Sequence, residues 1–127
     1  MVNRVHNESI TKHWSEFKEA IAKAFTTLPK NKDLWLNQLL ERLLSGEAQA
    51  WMGMSEEKIL VVLAVTTHIT DPVSFEKHLL IYSLYGLKFI PDYVWKEGVK
   101  TIESFARQTG CSAVVAYSEV DRVIEQA

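Results

Sequence analysis

The sequence predicts one mixed α/β domain: a central sheet made of an antiparallel meander followed by a βαβ unit, with helices on both faces. Three observations carry that expectation. Up to Gly46 the apolar residues recur at helical spacing. From Ala48 to Tyr85 the chain changes to strand-like runs joined by connections too short for helical crossovers. A long helical stretch then separates the third of these runs from a short apolar one.

In chain order, Ile10, Trp14, Phe17, Ile21, Phe25 and Leu28 are spaced 4, 3, 4, 4 and 3, which places all six on one helical face. Asn7 or Ser9 is the candidate cap, and Pro29 marks the end. A second helix is predicted from about Lys32 to Leu44, with Trp35, Leu36, Leu39, Leu40, Leu43 and Leu44 as its apolar stripe and Gly46 as its terminator. Ala48–Met54 reads as a strand, Ser55–Lys58 as a turn, and Ile59–Ile69, rich in β-branched residues, as a long strand. Thr70-Asp71-Pro72 breaks it, and His78–Tyr85 is a third strand ended by Gly86. Asp92 is the predicted N-cap of a helix reaching about Thr109, with Trp95, Val99, Ile102, Phe105 and Ala106 inward. Ala113–Tyr117 is a strand expected to lie parallel beside His78–Tyr85, and a final helix is expected over Glu119–Ala127.

Composition narrows the function classes. The 127 residues are 47% hydrophobic and 24% charged, which suits a single domain over residues 1–127. A net charge of −2, from 14 basic and 16 acidic residues, gives no basic footprint for nucleic acid. The longest apolar run, Ile59–Val65, is seven residues, far below the ~20 that span a bilayer, so no membrane partner is expected. One cysteine, Cys111, excludes a disulfide framework within the chain and fits a reducing cytoplasm. His6, His13, His68 and His78 show no i, i+4 pair, and no metal site is expected.

The element order, with Trp14 in the first helix, Gly46-Glu47-Ala48-Gln49-Ala50-Trp51 entering the meander, Leu80-Ile81-Tyr82 before Gly86, and Phe105-Ala106-Arg107-Gln108-Thr109-Gly110-Cys111 at the helix-to-strand junction, resembles the GNAT superfamily of acyl-CoA-dependent acyltransferases over nearly the whole chain. More narrowly it resembles the small GNAT-like proteins encoded among phage structural genes. The resemblance implies a first strand, supplied by Val2–His6, and a pyrophosphate site at the start of the crossover helix. It also implies two further strands after the last helix, before which this chain stops at Ala127.

The chemistry that such a site needs is poorly represented. Orphan N–H groups and the helix dipole bind a pyrophosphate at a helix N-terminus, normally within a glycine-rich turn. Here the stretch is Gly86-Leu87-Lys88-Phe89-Ile90-Pro91-Asp92, with one glycine, a proline that lacks an N–H, and an acid expected to cap the helix itself. Gly86 and Lys88 are the candidate cofactor-binding residues. No tyrosine occurs in Glu119–Ala127, where the resemblance would place the acid that protonates a departing thiolate. Glu47, Glu76 and His78 are possible general bases, and spacing selects none of them; no catalytic residue is assigned.

Interface candidates are Trp51, Val115 and Tyr117. Trp51 is in phase with Gln49 and Gly53 on a strand expected to leave a face uncovered, while Ala113–Tyr117 is an apolar strand with no lysine or proline to discourage edge pairing. Tyr82 and Tyr85 have opposite parities, so at most one should face a helix layer. The expectation is therefore a non-catalytic GNAT-like phage or prophage protein acting through protein contacts in virion assembly, with a protein partner or homodimer and no cofactor. The alternative is a divergent acyl-CoA-dependent N-acyltransferase, which would take acetyl-CoA. A small-ligand binding module using the open cleft is a third reading.

Overall fold

The change of period at Gly46 divides the chain into a helical layer and a sheet. The computed structural model describes residues 2–24, 32–86 and 88–116. Its strands are β1 (Val2–Arg4), β2 (Ala48–Met54), β3 (Leu60–Thr70), β4 (Lys77–Gly86) and β5 (Ala113–Ala116); its helices are α1 (Asn7–Lys12), α2 (Trp14–Ala24), α3 (Lys32–Ser45) and α4 (Asp92–Gln108). The strands form one sheet in sequence order, with every pair antiparallel except β4–β5. The parallel pair runs from His78 opposite Ala113 to Ile81 opposite Ala116, as the crossover requires. The predicted helix over Glu119–Ala127 and Tyr117 lie outside the described residues.

Helices cover both faces. On one, Val5, Ile10, Leu36, Leu39, Leu43, Ala48, Ala50 and Val65 make a core beneath the α1–α3 layer, with Trp14, Phe17 and Trp35 packed against it. On the other, Trp51, Ala64, Leu79, Ile102 and Ala106 pack beneath α4, joined by Phe105 and Val114. β2 alternates between them, so the face that Trp51 shares with Gln49 is covered rather than open. α4 ends in paired bonds, Cys111 N–H to Ala106 and Gly110 N–H to Arg107, with Gly110 at φ +81°.

Three sequence expectations are corrected. The single helix expected from Ile10 is two, broken at His13, whose φ of −112° and ψ of 22° lie off the helical values. The Thr11 hydroxyl donates to the Asn7 carbonyl at 3.0 Å, a back-bond that bends helices just where this one breaks. Val99 is 45% exposed, because the face of α4 that meets the sheet runs through Val94, Gly98, Ile102 and Ala106 at intervals of four. Tyr82 and Tyr85 both belong to the α1–α3 side. Val65 pairs with Ser83 but Thr66 with Ile81, so β4 carries one extra residue there and the parity shifts across it. Tyr82 stacks on Trp35, 6.1 Å between centroids, and accepts its indole N–H at 3.2 Å; Tyr85 pairs with Leu63, which faces Ile10 and Leu43.

Candidate functional site

The candidate site lies along the outer part of β4, next to its parallel neighbour β5. Among the described residues β5 pairs with β4 over His78–Ile81, up to Ala116. Beyond that point β4 pairs with β3 from Ser83 to Gly86. The backbone N–H and C=O groups along a strand can serve a ligand lying beside it. Residues 88–91 lead into the N-terminus of α4.

That N-terminus differs from the sequence expectation. Pro91, not Asp92, is the N-cap, at φ −62° and ψ 150°, and no side chain caps the helix. The Pro91 carbonyl takes the N–H groups of Val94 and Trp95 at 3.0 and 3.3 Å. Asp92 is therefore the first helical residue, exposed, with its carboxylate at the positive end of the dipole but not bonded to the helix. Lys88 is exposed and its N–H makes a long bond, 3.5 Å, to the Val61 carbonyl, which ties the turn to β3. Gly86 is the last residue of β4, opposite Val62, and a Cβ there would meet Ile90 at 3.4 Å. Phe89 is the most exposed aromatic residue of this turn, at 87%.

Behind the cleft lies a cavity of about 270 Å³ between α4 and the sheet. Its walls are Ile81 and Leu84 of β4, Val114–Ala116 of β5, Trp51 and Gly53 of β2, and Val94, Trp95 and Gly98 of α4. It thus borders both strands where Ile81 pairs with Ala116. Glu97, the residue before Gly98, accepts the Val2 N–H at 3.1 Å, which clamps β1 to α4 and holds its carboxyl below the usual range.

The interface candidates fall differently. Trp51 is buried, at 4% exposure, so it presents no free surface. It meets Phe105 edge-on at 5.2 Å, and its Nε1 donates to Thr66 Oγ1 at 2.9 Å, which donates in turn to Gln49 Oε1 at 2.8 Å. Its burial follows from α4 lying across β2, which the sequence did not specify. Val115 is half-buried opposite Leu80 and borders the cavity.

The possible bases are remote from the outer half of β4. Glu47, entering β2, is exposed and 3.3 Å from Arg42. Glu76 and His78, 3.8 Å apart, stand at the opposite end of β4, where Ser112 Oγ also donates to Glu76. His68 is at that same end, its Nε2 3.0 Å from Thr109 Oγ1. Burial, then the nearby Lys77 and Arg4, lower its pKa from the ordinary 6.5. What sequence reasoning missed was hydroxyls on the outer half of β4 itself: Ser83, Tyr82 and Tyr85 all belong to one face there. The bulge that aligns them left no mark in the residue pattern.

A five-stranded mixed sheet with helices on both faces and a strand–helix–strand crossover onto its parallel pair make this the GNAT fold. Among solved structures, an aminoglycoside N-acetyltransferase in complex with CoA superposes with a TM-score of 0.71 at 14% identity, over 99% of this chain and 81% of that one. A ribosomal-protein-alanine N-acetyltransferase from Brucella melitensis gives 0.65 at 16% identity (99% and 89% covered), and a GNAT family acetyltransferase from Staphylococcus aureus 0.65 at 13% (93% and 85%). No protein-family model and no curated protein matches the chain. No helix among the described residues is long and apolar enough to cross a membrane.

Proposed function

We propose that this chain is a divergent acyl-CoA-dependent N-acyltransferase whose thioester lies along the outer half of β4. The observation that carries the reading is the outer end of β4, Ser83–Gly86, followed in the chain by a helix N-terminus, that of α4, which no side chain caps. The pantetheine arm is amide-rich and can extend such a strand by backbone hydrogen bonds. The pyrophosphate then falls near α4, where the dipole and Lys88 favour an anion. Ser83, Tyr82 and Tyr85 supply hydroxyls on the segment that would carry the reacting carbon, the type of group that can protonate a departing thiolate.

Asp92 opposes this arrangement, and acetyl-CoA is expected to bind weakly. Calorimetric titration of the wild type and Asp92→Asn with CoA and acetyl-CoA tests it. Removing that charge should tighten binding about two- to fivefold, since a charge at a helix terminus is worth about 0.3–1 kcal/mol. No heat with either ligand at millimolar concentration sinks the reading.

A second reading, the non-catalytic phage or prophage protein, is favoured by the turn itself. Pro91 lacks an N–H, Asp92 is anionic, and the Lys88 N–H is already engaged with Val61. In that case Ala113–Ala116 would pair with a partner strand or a second copy. Light scattering at ~100 μM checks the homodimer, which at standard interface size should be saturated there. Val115→Lys should dissociate it, and a wild-type monomer would remove it.

A further inference from the structure

β1 forms the edge of the described sheet farthest from β5, and its bonding turns one residue outward. In an antiparallel pair, successive residues alternate between bonding the partner strand and pointing their N–H and C=O away from it. The Val5 N–H bonds the Ala50 carbonyl at 2.7 Å, so Val5 and Asn3 face β2 while Val2 and Arg4 face outward. The Val2 N–H fits that phase, since Glu97 of α4 takes it at 3.1 Å in place of β2. The Arg4 N–H and C=O have no such partner among the described residues, and His6 beyond is still extended, at φ −77° and ψ 158°. A strand edge of this kind is a template for another extended chain.

Beside this edge runs an open groove between β1 and the C-terminal half of α4, and its charge is one-sided. Arg4, Lys100, Thr101, Ser104 and Gln108 surround Phe105 there, and no carboxylate lines the groove among the described residues. Neither Arg4 nor Lys100 pairs with a carboxylate among those residues, whereas Arg42 is held by Glu47 at 3.3 Å. The Arg4 guanidinium lies over the Phe105 ring, 5.5 Å from its centroid, which orders the cation without neutralising it. Ser104 Oγ accepts from Gln108 at 3.3 Å, which leaves its own proton to donate. On a chain of net charge −2, two such cations with a hydroxyl and an amide in one groove make a local site for anionic groups.

We infer that the β1 edge binds an extended acidic segment of a partner protein, which adds as a strand beside Arg4 and sets its carboxylates on Arg4 and Lys100. Two features select that occupant. The outward Arg4 N–H and C=O suit a peptide backbone, because a bare phosphate or carboxylate ion has no N–H to offer the carbonyl. The cations suit acidic side chains placed at every second residue, since those are the ones an added strand directs to the α4 side. The Glu97 clamp on Val2 closes the edge at one end, so the strand runs over Arg4 toward His6. This surface lies at the opposite edge from the β4–β5 pair and does not depend on the acyltransferase reading.

The test is fluorescence anisotropy of the full chain with a labelled eight-residue peptide of alternating Glu and Thr. Three further probes accompany it: the same peptide with Gln for Glu, a fully N-methylated version, and a ten-nucleotide oligothymidine. The Glu–Thr peptide should saturate by ~1 mM, and the Gln and N-methylated peptides should bind more weakly. Arg4→Gln and Lys100→Gln should each weaken it about two- to fivefold, the worth of an exposed ion pair, and Lys12→Gln on α1 should leave it unchanged. No binding by ~1 mM overturns the proposal. Equal binding of the Gln peptide overturns the part given to the carboxylates, and equal binding of the N-methylated peptide overturns strand addition. Tighter binding of oligothymidine, weakened by Arg4→Gln, makes the occupant a nucleic acid and overturns the peptide assignment. Should Arg4→Gln not fold, as judged by circular dichroism, Lys100→Glu at its exposed helix position decides: it should weaken binding more than Lys100→Gln, and unchanged binding overturns the proposal.

Discussion

Thr66 has no exposed surface and serves two partners at once, accepting from the Trp51 indole and donating to Gln49 Oε1, whose amide nitrogen donates to the Gly46 carbonyl at 2.8 Å. Thr66→Val keeps the shape and removes the hydroxyl, so two buried polar atoms lose their partner. The expected loss is about 2–4 kcal/mol, measured by urea unfolding, against a smaller one for Thr66→Ser. A loss below about 1 kcal/mol would mean that water replaces the hydroxyl. His68 gives a pH signature. Its lowered pKa means that the folded state binds the proton less readily than the unfolded one. Well above pH 6.5 both states are neutral and the residue contributes no slope. As the pH falls below that value the unfolded chain protonates first, so stability declines until the folded ring titrates too. Lys77 and Arg4 supply the repulsion, with Phe105 and Thr109 packed against the ring. Stability measured from pH 8 to pH 5 should fall more steeply for the wild type than for His68→Gln. Parallel curves would remove His68 as the cause.

At the level of elements, sequence periodicity located what burial dictates and missed what a single bond or residue redirects. Ala48–Met54 was legible to the residue because its flanks are a helix terminator and a polar turn, and the parallel placement of Ala113–Ala116 followed from the crossover alone. The break at His13 was not, since the apolar spacing runs through it without interruption and the agent is a hydroxyl bond from Thr11. Asp92 was read as the cap of α4 from its type, whereas Pro91 before it supplies the extended φ and ψ that a cap position requires. The cavity left one visible trace, a glycine inside an otherwise strong helical pattern with no terminus nearby, and that signal points to a packing or functional reason. Alanine scanning of the two facing glycines separates their roles. Gly98→Ala should raise stability by about 0.5–1 kcal/mol, whereas Gly53→Ala should lower it by about 1–3 kcal/mol because Val62 and Val94 must yield. Loss of stability in Gly98→Ala would show that the helix is not free to take a methyl there.

Considered as a whole, the molecule has two helical layers on opposite faces of the sheet, and each strand must deliver alternate residues to each. The extra residue in β4 means that the strand's length is one greater than this alternation requires. Removing Tyr82 would leave Ile81 facing α4, Ser83 facing the α1–α3 layer and Leu84 facing α4, a regular alternation in which every remaining side chain keeps its layer. Removal of Ser83 in its place leaves Tyr82 in the α1–α3 layer and the same alternation, whereas removal of Leu84 or Tyr85 while the bulge is kept would exchange the layers for part of the strand. The protein therefore carries one residue of slack, at Tyr82–Ser83, in an otherwise length-critical strand. A scan of single-residue deletions through β4, scored by soluble folded yield, should show tolerance at Tyr82 and Ser83 and intolerance at Leu79 and Leu84. Deleting Tyr82 forfeits the stacking on Trp35 but not the architecture. Chains of different β4 length can thus share this two-layer plan, because a residue gained or lost at the bulge leaves both cores as they are.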